Sequence, residues 1–315
     1  MTIKEEKTKV VLLTGGSGMV GRNIRENANM QRWHVVAPGR DELNLLSEEN
    51  CNEFVNDLKP DFVIHAAGMV GGIQANINSP VDFLVHNMDM GRNIVLAAKK
   101  ARVRKFLNIG SSCMYPRNAV NPLMEEMVLN GELEPTNEGY ALAKIITQRL
   151  CEFIVREDSF YQYKTIIPCN LYGRYDTFDP RKSHMLPSII FKMHDALRSN
   201  KTEIEIWGDG EARREFMYAG DLAAFISFML EDFDRAPGVM NVGLGEDFTV
   251  NEYYAAAAEV VGYSGRFVHD LNKPVGMRQK LVSVARQEGL GWSPSVNLIE
   301  GIQLTYDYYK QEYIA

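Results

Sequence analysis

The sequence predicts an α/β fold built on a doubly wound parallel sheet, followed by a smaller C-terminal α+β domain. Three observations carry this. Short β-branched apolar runs recur through the first half and alternate with helix-patterned stretches. Those runs are continuously apolar rather than alternating, as strands covered on both faces are. The first run ends in a glycine-rich turn that leads directly into a helical pattern.

In chain order, residues 9–14 read as a fully buried strand, and residues 34–37, 61–66, 105–109 and 164–168 as further strands. Helical stretches lie between them, including 87–101 and 140–157. After about Asn170 the pattern loosens. Residues 172–214 are rich in Pro, Asp, Arg and Lys and read as loops around one helix, 186–199. Residues 221–231 read as a helix and 239–243 as a strand, and this pair is assigned back to the first sheet. Helices near 250–261 and 297–312 complete the smaller unit. The expected division is 8–171 plus 214–243 for the first domain and 172–213 plus 244–315 for the second, in keeping with about 150 residues per domain in a chain of 315.

Hydrophobic residues at 45% and charged residues at 24% argue against disorder. Acidic residues outnumber basic ones, 41 to 34, for a formal charge of −7, which disfavours a generic nucleic-acid binder. Any anionic ligand must then be held by locally placed cations. Cys51, Cys113, Cys151 and Cys169 show neither zinc-ligand nor CxxC spacing, so no metal is expected and reduced thiols in the cytoplasm are. No apolar run approaches the ~20 residues of a membrane span. These features leave an enzyme or a binding protein.

The turn Thr14-Gly15-Gly16-Ser17-Gly18-Met19-Val20-Gly21 satisfies GxGxxG through Gly16, Gly18 and Gly21, and also GxxGxxG through Gly15, Gly18 and Gly21. Glycines here permit a tight turn and let backbone N–H groups approach a pyrophosphate at a helix N-terminus. Between a strand and a helix, the motif points to a Rossmann-type dinucleotide site. At the end of the second strand stands Arg40, a partner for the 2′-phosphate of NADP, where an NAD enzyme usually carries an acid. The other reading of Arg40 is a solvated loop arginine paired with Asp41.

Tyr140 and Lys144 form a YxxxK pair, which at i,i+4 spacing occupies one helix face. A phenol is a poor acid or base at neutral pH unless a cation stabilises its anion, and Lys144 is that cation. Ser111 follows a predicted central strand, where open α/β sheets place ligands, and is aimed to hydrogen-bond a substrate oxygen while Tyr140 supplies a proton.

These residues carry a resemblance to the extended short-chain dehydrogenase/reductases, and among them to the GDP-L-fucose synthase family. The matching stretches are Gly18-Met-Val-Gly21, Arg40-Asp-Glu-Leu-Asn-Leu45, Val70-Gly-Gly-Ile73, Gly110-Ser-Ser-Cys-Met-Tyr-Pro116, Leu133-Glu-Pro-Thr-Asn-Glu138, Asn170-Leu-Tyr-Gly173, Ser183-His184, Trp207-Gly208 and Arg214-Glu-Phe216. The resemblance implies NADP(H) as cofactor, a GDP-linked 4-keto-6-deoxy sugar (hexose or heptose) as substrate, and a homodimer. It implies cofactor contacts from Gly15, Gly18, Met19, Val20, Gly21, Arg40, Asn44, Leu45, Ala66, Ala67, Gly68, Tyr140, Lys144 and His184. Its implied substrate contacts are Asn170, Lys192, Trp207, Arg214 and Lys280, of which Lys192, Arg214 and Lys280 would meet the diphosphate.

The implied chemistry has two stages. The ketone at carbon 4 acidifies the hydrogens on carbons 3 and 5, and epimerisation takes a base on one face and an acid on the other. By likeness Cys113 is the base and His184 the acid, with Ser111 and Tyr140 holding the enolate oxygen; reduction at carbon 4 follows, with Tyr140 giving the proton. Without the likeness, Cys113 reads as a small core residue and His184 as a loop histidine.

The sequence also departs from the family. Ser17 stands where an Arg is frequent, Gly139 replaces a Pro, Lys192 and Gln279 replace arginines, and Val275 and Ser283 replace aspartates. The catalytic set survives while the periphery changes, so the sequence predicts a related GDP-4-keto sugar. Two alternatives stand beside a combined epimerase/reductase: a reductase alone, acting on an already epimerised GDP-4-keto-heptose, and an NAD-dependent nucleotide-sugar 4-epimerase. An NADP-binding protein without activity is the non-enzyme reading.

Overall fold

The elements β1 (Val10–Thr14), α1 (Met19–Glu26), β2 (His34–Val36), α2 (Glu48–Leu58), β3 (Phe62–His65), α3 (Ile73–Asn78), α4 (Pro80–Lys100), β4 (Lys105–Ile109), α5 (Glu138–Glu157) and β5 (Gln162–Pro168) succeed one another along the first half of the chain. This is a computed structural model, which describes residues 8–179, 183–273 and 276–314. The second half adds β6 (Asn170–Tyr172), α6 (Met185–Arg198), β7 (Glu203–Trp207), β8 (Arg213–Arg214), β9 (Phe216–Tyr218), α7 (Ala219–Glu231) and β10 (Val239–Val242). Then come β11 (Phe248–Thr249), α8 (Val250–Val261), β12 (Arg266–Asp270), β13 (Gln279–Lys280), α9 (Ala285–Gly289) and α10 (Leu298–Tyr313).

Six strands form the parallel sheet in the order β10-β5-β4-β3-β1-β2. The continuous apolar runs follow from its position between two cores. Side chains alternate across a strand, so Val11 and Leu13 enter one core while Leu12 enters the other. Ile64, Leu107 and Ile109 accompany the first pair, and Val63 and Phe106 accompany Leu12. Burying such side chains on both faces stabilises each by about 1.5–3 kcal/mol, which is what holds a sheet with no solvent-facing side.

Helices α4 and α5 pack closely, and Gly91 permits it: a Cβ there would lie 2.1 Å from Thr147 Oγ1. A similar constraint accounts for Gly139, where a Cβ would meet the Pro80 carbonyl oxygen at 2.8 Å. The family's usual proline therefore has no room at this helix start.

A third core gathers Ile189, Ile190 and Met193 of α6 with Tyr253, Ala257, Ile302 and Tyr306 of α8 and α10. Beside it lie the pairs β7–β12 and β6–β9 and the three-stranded sheet β11-β8-β13. Residues 172–214 were expected to be loops around one helix, and this is corrected: they include β7 and β8. The signal is present in Glu203-Ile-Glu-Ile-Trp207, which alternates exposed and buried, but charges on its solvent face disguise it. Two further differences arise at helices. α4 begins at Pro80 instead of residue 87, with Pro at the favoured first position. α2 was not anticipated, although Ser47 caps it by accepting from Asn50 N–H. Within 214–243, α7 and β10 join the large layer, whereas β8 and β9 pair with the small sheets.

Among the described residues no helix is long and apolar enough to cross a membrane.

Candidate active site

The turn after β1 resolves the two glycine spacings. Gly15 has φ +73°, and a Cβ on it would lie 2.6 Å from Ala67 N and 2.7 Å from the Ala66 carbonyl carbon. Gly21 packs so tightly that its Cβ would be 2.2 Å from Gly15 O. Gly18 stays open, with Gly15 O the nearest neighbour at 3.5 Å, and it begins α1 without a side-chain cap or an acid in the first turn. Gly15, Gly18 and Gly21 thus make the tight turn, the open approach and the helix contact that a pyrophosphate cradle needs. Gly16 instead packs on Ala37, 2.6 Å from its would-be Cβ. Gly15→Ala is expected to cost about 2–4 kcal/mol through strain and overpacking, read as a lowered melting temperature; an unchanged one would contradict this packing.

Around the cradle, Met19 and Val20 are half-buried and Arg40 is exposed just beyond β2. Arg25, not anticipated from sequence, reaches Gly16 O at 3.4 Å and is a second cation near the β2 end. Leu45 is buried in the second core with its carbonyl held by Asn93, and Asn44 turns its side chain back to Leu46 N–H. Ala67 N–H donates to Thr14 Oγ1, and Gly68 lies against Lys144, whose Nζ would be 3.6 Å from a Cβ there. His65 is a buried partner of Thr14 Oγ1, lowered to about 3 by burial and by the Lys144 charge, and is therefore neutral.

At the C-terminal end of β4 the chain turns through Ser111, whose Oγ accepts from Cys113 N–H at 3.3 Å. That turn is held from below: the Tyr115 hydroxyl donates to Asn241 Oδ1, and Asn241 in turn binds Leu123 O, Ser283 O and the Glu125 carboxylate. Tyr140 occupies the first turn of α5 and Lys144 the next. Lys144 Nζ donates to Ile109 O at 2.9 Å and lies 5.9 Å from the Tyr140 ring centre. Burial pushes the Tyr140 phenol up, the Cys113 charge adds to this, and the Ser111 hydroxyl opposes it. Lys144 was expected to ease the phenol's ionisation. Desolvation dominates instead, so the phenol is held in its protonated, donating form.

Cys113 is half-buried and receives two donors: Asn137 Nδ2 at 3.2 Å and Lys280 Nζ at 3.7 Å. His184 precedes α6 and is lowered by burial and by the Lys280 charge, which draws it into the same electrostatic neighbourhood. Sequence reasoning gave Lys280 to a diphosphate; the structure sets its ammonium beside the cysteine.

The remaining predicted substrate contacts lie farther out. Lys280 and Arg214 are register partners on β13 and β8, so they share a face of that small sheet. Gln279, on the other face, donates to Asp247, which also holds Arg213. Trp207 is 52% exposed, with Lys192 and Lys273 at 6.0 and 5.5 Å from its ring. Asn170 Nδ2 donates to Glu215 O. Glu215 itself, missed from sequence, is fully buried and accepts N–H bonds from Leu244, Gly245 and Val282, pinning the strand ends behind Arg214; burial pushes its carboxyl up to about 7. Val275 lies outside the described residues. Among these no His, Cys, Asp and Glu cluster is arranged to hold a metal ion.

Comparison with known proteins agrees with this geometry. Residues 11–243 match the NAD dependent epimerase/dehydratase family. The chain is 54% identical over 302 residues to the GDP-L-colitose synthase of Yersinia pseudotuberculosis, covering 96% of this chain and 98% of that protein. It is 48% identical over 303 residues to the GDP-L-fucose synthase of Azorhizobium caulinodans, covering 96% and 97%. Among solved structures, a GDP-mannoheptose C4 reductase from Campylobacter jejuni with NADP bound superposes with a TM-score of 0.87 at 28% identity, over 97% of this chain and 99% of that one.

Proposed function

The chain belongs to the NAD dependent epimerase/dehydratase family, and on that premise we propose that it is an NADPH-dependent reductase of a GDP-linked 4-keto-6-deoxy sugar that also epimerises the carbons flanking the ketone. The observation that carries this is the gathering of Ser111, Cys113 and Tyr140 at the end of β4, with Lys144 behind Tyr140 and His184 under the influence of Lys280. The names of the curated relatives supply the GDP-sugar.

The glycine turn fits a dinucleotide, because Gly18 leaves the head of α1 open while Gly15 and Gly21 let the turn close on its own backbone, where a Cβ would collide. Gly15, Gly18 and Gly21 would hold the pyrophosphate, Arg40 and Arg25 the 2′-phosphate, and Ala66, Ala67, Gly68 and Lys144 the nicotinamide half. When bound, NADPH supplies hydride for carbon 4. Ser111 Oγ orients the ketone oxygen, and Tyr140, kept protonated by burial, gives that oxygen its proton. In epimerisation Cys113 removes a proton beside the ketone and His184 returns one to the opposite face, while Ser111 and Tyr140 hold the enolate oxygen. The Lys280 charge disfavours protonated His184. An anionic diphosphate beside Lys280 offsets that charge and lets the imidazole take up its proton.

Incubating the protein with NADPH and GDP-4-keto-6-deoxy hexoses and heptoses, with products read by NMR, should give cofactor oxidation and an alcohol at carbon 4. No oxidation with any of them, or NAD retained through purification, would overturn the reading in favour of a binding protein or a 4-epimerase. The likeness to a C4 reductase favours, as second reading, reduction without epimerisation.

Burial lowers Lys144 to about 8 from an ordinary 10.5. Its charge therefore fades as pH rises through about 8, and the affinity for NADPH is expected to weaken by up to tenfold per pH unit above that point. The Lys144→Met variant should bind weakly with no such inflection. Fluorescence titration of NADPH across pH decides this, and a flat wild-type profile would refute it. The same shift makes stability rise with pH between about 8 and 10.5, because there the unfolded chain binds the proton that the folded chain has released.

We also propose a homodimer pairing through α4 and α5, supported by Val81, Val85, Leu96, Ile146 and Phe153 standing exposed on those two helices. Cytoplasmic residence is supported by four cysteines that form no disulfide.

A further inference from the structure

Asn137 stands at the N-cap of α5, three residues before Tyr140, where an Asn side chain ordinarily accepts a first-turn N–H and stabilises the helix. Here it makes no cap bond. Its Nδ2 turns to Cys113 Sγ at 3.2 Å, and its Oδ1 is buried without a partner. The oxygen that would make the cap thus stays buried and unpaired, at a cost to folding stability. Its neighbours Glu134 and Thr136 satisfy each other, so the local turn does not depend on the Asn137 amide. A side chain that gives up its cap bond for a contact with sulfur is placed for that sulfur.

We propose that Asn137 is a positioning residue: its amide donates to Cys113 and, together with Lys280, holds the sulfur in its reactive, negatively charged form and in a fixed rotamer. The donor arrangement is that of an anion site, with an N–H at 3.2 Å and an ammonium at 3.7 Å. The charged and titratable groups around the sulfur are Lys280 from β13, Tyr140 from α5 and, beyond Lys280, His184 at the head of α6. Lys280 sits on a strand that an anionic substrate would also engage, so its charge is divided between two tasks. Asn137 belongs to the sulfur alone, and it keeps the thiolate stabilised when Lys280 turns to the diphosphate. This rests on the epimerase part of the proposed function for its purpose, though not for its test.

The test is alkylation of the intact protein by iodoacetamide across pH, with the modified site identified by mass spectrometry. Cys51, Cys151 and Cys169 are buried, so Cys113 is the site read. In Asn137→Ser the alkylation rate near neutrality is expected to fall about tenfold. Ser is a good N-cap, so the melting temperature should hold or rise. Asn137→Asp, which keeps the shape and the capping ability but sets a carboxylate beside the sulfur, should lower that rate further. Reactivity and stability moving in opposite directions is the signature; a residue of purely structural importance would lower both. An unmoved profile in both variants overturns the proposal. Because alkylation needs no substrate, that failure would leave the reductase reading intact, while lack of activity on any GDP-sugar would leave the positioning role intact.

Discussion

Replacing Tyr140 by Phe is expected to lower kcat by about 10³-fold while leaving the affinity for NADPH within a fewfold of wild type. In the proposed reaction the phenol gives the proton to the reduced oxygen, and loss of a positioned acid costs between 10² and 10⁴. The structure sharpens the expectation. Burial and the neighbouring Cys113 charge keep the phenol protonated, and Lys144 is anchored to the Ile109 carbonyl rather than to the hydroxyl. Removing the hydroxyl therefore should not release Lys144, and the cofactor site should survive. Steady-state NADPH oxidation together with fluorescence titration separates the two effects. A loss below tenfold in kcat would mean that another group, or water, delivers the proton.

Cys113→Ser is expected to divide the two chemical stages. Serine keeps the size and the hydrogen bonds but is a far weaker base, so exchange of the hydrogens on carbons 3 and 5 should fall by about 10²–10⁴-fold. Reduction of a ketone that already has the epimerised configuration should persist within a fewfold, because Ser111, Tyr140 and Lys144 are untouched. In deuterated water, wild-type product would carry deuterium at those carbons and the variant's product would not. Wild-type product free of deuterium would instead establish the reductase-only reading. A variant that loses both stages together would show that Cys113 serves the pocket's shape.

Much of the parallel sheet was legible because its signal is local. A run such as Val10–Thr14, apolar at successive positions, has few homes other than a strand covered on both sides. The same holds for the glycine turn, whose chemistry lies within eight residues. What escaped notice was of two kinds. β7 hid because its outward positions are charged and its partner, β12, lies about sixty residues away. The role of Asn137, and the place of Lys280 beside the cysteine, hid because they depend on a sulfur 24 and 167 residues distant, respectively, and periodicity carries no such distance. Cys113 and His184 were visible as candidates through family resemblance alone, since a thiol near a strand end reads by itself as core. The geometry adds the donors on the sulfur and the cation beside the imidazole, which neither composition nor motif contained.

Helix α5 is a single rod of twenty residues that starts at the cysteine's partner, carries the acid and the lysine on its first turns, and presents Ile146 and Phe153 outward farther along. If copies pair through it as proposed, specific activity should depend on dilution, falling where the pair separates. Surface substitutions at Ile146 or Phe153 would then masquerade as active-site lesions. Assays run at a single enzyme concentration would be blind to the difference.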